Sequence, residues 1–97
     1  AMKAQQIGLV DEVVTPEQLD EEVEAMIKQL TANGPQAVRQ AKQLALDVAY
    51  QPINQALMQD TSERIAAIRV SDEGQEGLTS FFEKRAPLWL PQQQEQK

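Results

Sequence analysis

A chain of 97 residues has room for one small domain, and an apolar share of 41% with four aromatics suits closely packed helices rich in Ala, Leu, Val and Ile. Nine basic against fifteen acidic residues give a formal net charge of −6, which argues against a nucleic-acid backbone or an anionic membrane surface as the main partner. With neither cysteine nor histidine, disulfides, thiolate chemistry, the usual general base and the commonest metal ligands are all excluded, and no metal or other cofactor is expected.

No apolar run approaches the ~18 to 20 residues of a membrane span, and no basic-then-apolar leader opens the chain, so a cytoplasmic protein is expected. The β-branched run Ile7 to Val14, interrupted by Gly8 and Asp11-Glu12, fits one short strand or an extended connector over residues 1–14. A lone strand cannot satisfy its own backbone groups, so its partner is expected elsewhere. Thr15-Pro16-Glu17-Gln18 starts the first helix, with Thr15 as cap, Pro16 in the first turn and Gln18 at the capping-box position. The acidic cluster from Glu17 to Glu24 follows where the helix dipole favours it, and Leu19, Val23, Met26, Ile27 and Leu30 keep helical spacing up to Asn33-Gly34.

Pro35 opens a second helix with Val38, Ala41, Leu44, Ala45 and Val48 on one face, and it should stop before Pro52. A third is expected from about Pro52 to Arg69, with Ile53, Leu57, Ile65 and Ile68 buried. Ser71 caps a fourth, with Asp72 and Glu73 in its first turn. Gly74 and Gly77 inside that helix each cost about 1 kcal/mol relative to alanine, so something approaches closely there: another helix, a subunit or a ligand. Pro87 ends the element, and residues 90–97 are expected to be a disordered tail. The fold class is therefore all-α, a small bundle of about four helices preceded by a short extended segment.

Few residues offer chemistry. Glu73 and Glu76 share a helical face, but the spacing fits a solvated face better than a pair of acid-base carboxylates. The hydroxyls from Thr61 to Ser80 lack a base partner, and the acidic first helix lacks the loop geometry of a calcium site. Phe81, Lys84 and Arg85 would lie on one side of a helix, where an aromatic face and a cation could meet a nucleotide base and a phosphate. On spacing alone, core phenylalanines and a solvated cationic last turn are the preferred reading.

The segments IGLVDEVV, NGPQAVRQAKQLA and SDEGQEGLTSFFEKRAPLW, in this order and at these separations, resemble the C-terminal part of the enoyl-CoA hydratase/isomerase (crotonase) superfamily. The wording of IRVSDEGQEGL and FFEKRAPLW is most similar to the methylglutaconyl-CoA hydratase-like branch. The resemblance implies a full-length hydratase or isomerase acting on α,β-unsaturated acyl-CoA thioesters, in fatty acid or branched-chain amino acid catabolism, with acyl-CoA as substrate rather than cofactor. The family's oxyanion amides and catalytic glutamates belong to an N-terminal core that has no matching positions here, so no catalytic residue carries over.

What does carry over is Lys84, similar to the family's lysine at the adenine or phosphate end of CoA, and more weakly the nearby aromatic Phe81. This reverses the preference drawn from spacing for Lys84. On the same resemblance, residues 1–14 are a connector from the core and residues 15–89 a helical assembly domain that builds trimers and hexamers, inactive alone and self-associating. A free-standing helical protein-interaction module without enzymatic activity is the alternative.

Overall fold

The computed structural model describes residues 1–91, and the expected tail beyond Pro91 lies outside the described residues. Among the described residues all regular structure is helical: α1 Met2–Gln6, a 3₁₀ turn Pro16–Gln18, α2 Leu19–Thr31, α3 Pro35–Val48, α4 Gln55–Val70 and α5 Asp72–Phe82. The chain divides into two compact units, Ala1–Leu30 and the part from Thr31 onward.

In the first unit the expected extended connector is helical at its start and irregular after residue 8, with bends at Leu9 and Asp11. The stretch Met2–Gln6, made of residues that suit a helix, forms α1, and Gly8 at φ +77° turns the chain out of it. The amides of Gly8 and Leu9 donate to the carbonyls of Gln5 and Ala4, at 3.1 and 2.9 Å, which are the two bonds of a Schellman ending. No strand forms among the described residues, since the run after Gly8 has no ladder to join. The start of α2 follows the sequence closely: Gln18 Oε1 accepts from Thr15 N at 3.5 Å and from Thr15 Oγ1 at 3.2 Å, and Asp20, Glu21 and Glu22 occupy the first turn.

In the second unit α3, α4 and α5 pack on one another. Val38, Leu44, Val48, Leu57 and Ile68 are half-buried there, whereas Ile53 and Ile65, expected inside, are 89% and 65% exposed. Ile53 falls outside the helix because α4 starts later than expected: Asn54 takes the cap position and its Oδ1 accepts from Leu57 N at 2.9 Å. No apolar side chain among the described residues is fully buried, so no residue contributes the full ~1.5 to 3 kcal/mol of complete Leu or Ile burial. Helix caps, worth about 1 kcal/mol each, matter correspondingly more.

Ser71 alone joins α4 to α5 and serves both. Its backbone is extended, its Oγ accepts from Gly74 N at 3.0 Å, and the same hydroxyl donates to Ile68 O at 2.6 Å. Gln75 Nε2 donates to Arg69 O at 2.7 Å, so the carbonyls of Ile68 and Arg69 near the end of α4 are both satisfied at the corner. The close approach expected at the two glycines comes from the chain itself. A Cβ on Gly74 would collide with the carbonyl oxygen of Ile68, and one on Gly77 would lie 3.4 Å from the ring of Trp89.

Candidate functional site

Helix α5 carries the carboxylates and cations singled out in the sequence, and its two ends use them differently. At its start, Glu73 reaches across to the beginning of α3, where Gly34 has no side chain to cap with. Glu73 Oε2 accepts from Gln36 N at 3.0 Å and Oε1 from Ala37 N at 2.9 Å, the first two amides left free once Pro35 has taken N1. Gly34 leaves room for it, because a Cβ there would meet the Glu73 carboxylate and oblige that side chain to shift. The solvated-face reading is thus corrected for Glu73: its carboxylate caps the free amides of another helix, whose N-cap residue is Gly34.

Glu76 is corrected in the same way. Its side chain is only 18% exposed, accepts from Arg85 Nη1 at 2.5 Å and Nη2 at 3.1 Å, and takes Leu88 N at 3.0 Å. Arg85 Nε also donates to Glu83 Oε2 at 2.5 Å. The Arg85 guanidinium, aided by the Leu88 amide, holds the Glu76 carboxyl below its usual range against partial burial, and the paired carboxylates raise the guanidinium further above its ordinary value. A fork-to-fork pair of this kind fixes geometry as well as charge.

The end of α5 differs from the helical continuation on which the spacing argument rested. The helix stops at Phe82, Glu83 is the cap, and Lys84 takes a left-handed conformation with φ +54°. Lys84 N donates to Phe81 O at 3.3 Å and Arg85 N to Ser80 O at 3.0 Å, again a Schellman ending. Phe81, Lys84 and Arg85 therefore do not share a helical face. Neither phenylalanine is a core residue: both are 76% exposed, with ring centroids 5.7 Å apart and planes at 73°, edge to face. Lys84 is exposed and, among the described residues, has no ion-pair partner, whereas Arg85 is engaged with two carboxylates. Of the two adjacent cations, only Lys84 is available to an anion.

Two clefts lie away from this end. One, of about 210 Å³, is lined by Gln36, Gln40, Arg64, Ser71 and Glu73; the other, of about 300 Å³, by Asp47, Gln51, Asn54, Leu57 and Asp60. Arg64 closes the ground between them, donating to Asp47 Oδ2 at 2.8 Å and to Asp60 Oδ2 at 3.0 Å, which lowers the Asp47 carboxyl with help from Gln43. Among the described residues no group of three or more acidic side chains could hold a metal ion, and no helix is long and apolar enough to cross a membrane.

Sequence reasoning missed the role of Glu76 because its partner is nine residues away, outside any helical spacing. The only signal was the Pro87 break, which returns the chain alongside α5.

Residues 1–93 match the family model for enoyl-CoA hydratase/isomerase. An enoyl-CoA hydratase from Shewanella pealeana is 42% identical with a TM-score of 0.84, covering 92% of this chain and 33% of its own. Among curated proteins, the enoyl-CoA hydratase EchA19 of Mycobacterium tuberculosis is 33% identical over 90% of this chain and 32% of its own length. The crotonyl-CoA hydratase of Syntrophomonas wolfei is 34% identical over 88% of this chain and 32% of its own. The chain thus spans about a third of the length of the relatives it matches.

Proposed function

This chain belongs to the enoyl-CoA hydratase/isomerase family, and we propose on that premise that it is the C-terminal helical part of a hydratase-type enzyme, where Lys84 meets the phosphate-bearing end of acyl-CoA. The reaction of the whole enzyme is the addition of water across the α,β double bond of an acyl-CoA thioester. The observation that carries the role of Lys84 is its availability: an exposed ammonium without an ion-pair partner among the described residues, beside an arginine already engaged by Glu76 and Glu83. Phe81, one turn back and 76% exposed, offers a face to the adenine ring.

Glu73 and Glu76 are assigned no catalytic role, because their carboxylates are occupied by α3 amides and by Arg85 with Leu88 N. In this reading the catalytic groups belong to the rest of the enzyme, and the chain is inactive alone. The exposed Phe81, Phe82 and Ile65 favour self-association and assembly into homo-oligomers of the kind the resemblance implies, in the cytoplasm. The branch that processes methylglutaconyl-CoA remains the preferred substrate class on sequence wording.

The test is CoA affinity of the full-length enzyme by calorimetry. Lys84→Ala should weaken binding by about 1.5 to 3 kcal/mol, the worth of a charge-assisted hydrogen bond. An unchanged affinity returns Lys84 to a solvated helix end.

A further inference from the structure

Lys84, like the fully exposed Tyr50 at φ +61°, occupies a conformation that costs a non-glycine residue free energy, and at Lys84 the surroundings help to hold it. The surroundings here are two sets of bonds. On one side the Schellman pair ties the amides of Lys84 and Arg85 to the carbonyls of Phe81 and Ser80, with Ser80 itself 4% exposed and its Oγ donating to Gly77 O at 2.9 Å. On the other side Glu76 holds the Arg85 guanidinium through both oxygens and the Leu88 amide through one, so the chain just after Lys84 is pinned back onto α5.

We propose that Glu76 is the positioning residue for Lys84: by clasping Arg85 and the Leu88 amide it keeps Lys84 left-handed and its ammonium aimed at the phosphates of the acyl-CoA nucleotide. The proposal rests on the reading of Lys84 given above. It assigns the neighbouring basic residues separate tasks. Arg85 is neutralised by Glu76 and Glu83 and serves the backbone, while Lys84 serves the ligand. Without the clasp, Lys84 relaxes to negative φ, and its side chain leaves the direction set by the turn.

The experiment compares crotonyl-CoA with crotonyl-pantetheine, which keeps the thioester and lacks the phosphates, as substrates of the full-length hydratase. Glu76→Gln should raise KM for crotonyl-CoA about two- to tenfold, as expected for coupled neighbours, with kcat unmoved and the rise absent for crotonyl-pantetheine. Glu76→Gln combined with Lys84→Ala should be no worse than Lys84→Ala alone. If Lys84→Ala raises KM for crotonyl-CoA but Glu76→Gln leaves it at the wild-type value, the positioning claim is overturned and the Lys84 reading stands. If Lys84→Ala has no effect, the Lys84 reading falls and takes the positioning claim with it. A rise shared equally by both substrates marks Glu76 as merely structural and also overturns the claim. Should Glu76→Gln fail to fold, Arg85→Lys keeps the charge, loses the fork and carries the same test.

Discussion

The ends of α1 and α5 are closed by the same pair of backbone bonds, yet one places glycine at the left-handed position and the other lysine. Gly8 needs no further support, because it has no Cβ to bring against the following carbonyl. Lys84 has one, and its turn carries charged side-chain bracing, from Glu76 to Arg85 and Leu88 N, whereas the Gly8 turn is spanned by one neutral bond, from Gln5 Nε2 to Asp11 O at 3.1 Å. The difference separates a turn chosen for backbone comfort from one held in place despite its cost.

Three measurements would break or sharpen this contrast. The largest effect is expected from Gly8→Ala, which puts a Cβ at φ +77° and should loosen the end of α1 by about 1 kcal/mol, seen as faster amide exchange at Leu9. The opposite sign is expected at the other end. Lys84→Gly relieves a left-handed cost of about 1 to 2 kcal/mol but gives freedom to the unfolded chain, leaving a net gain of about 0.5 to 1 kcal/mol in denaturant unfolding. If Lys84→Gly destabilises instead, the lysine is not strained and the contrast collapses.

The smallest effect is a local response to acid. Because the Glu76 carboxyl is lowered in the folded chain, chiefly by Arg85, its contribution is complete above the unfolded value of about 4.3 and is lost as pH falls through the lowered folded value. Amide protection at Arg85 and Leu88 should therefore hold from pH 7 to about 5 and decline below about pH 4, while Leu9, whose turn is closed by backbone bonds, keeps its protection over the same range. Equal decline at both ends would mean that the clasp has no separate role.

What could be read from the sequence was local. Thr15-Pro16 with Gln18, Pro35 and Ser71 mark helix starts through bonds that span only a few residues, and each of those starts forms as expected. Asn54 also acts locally, but Pro52 two residues earlier offered a competing start and drew Ile53 into a helix it does not join. Residues Met2–Gln6 were overshadowed by the β-branched run that follows them. The candidate site was half legible. Family wording is what proposes Lys84 and Phe81, but the register of the helix end could not be read, since lysine is a poor predictor of a left-handed turn. The work of Glu73 was out of reach altogether, because its partners Gln36 and Ala37 lie 37 and 36 positions away.

The return of the chain after Pro87 also places its single tryptophan. Trp89 Nε1 donates to Ala32 O at 3.2 Å, and its ring sits over Gly77, so one indole touches both the turn before α3 and the middle of α5. The molecule consequently carries its own optical reporter: a red shift in indole emission would signal detachment of the Pro87–Leu90 turn from α5, without any label.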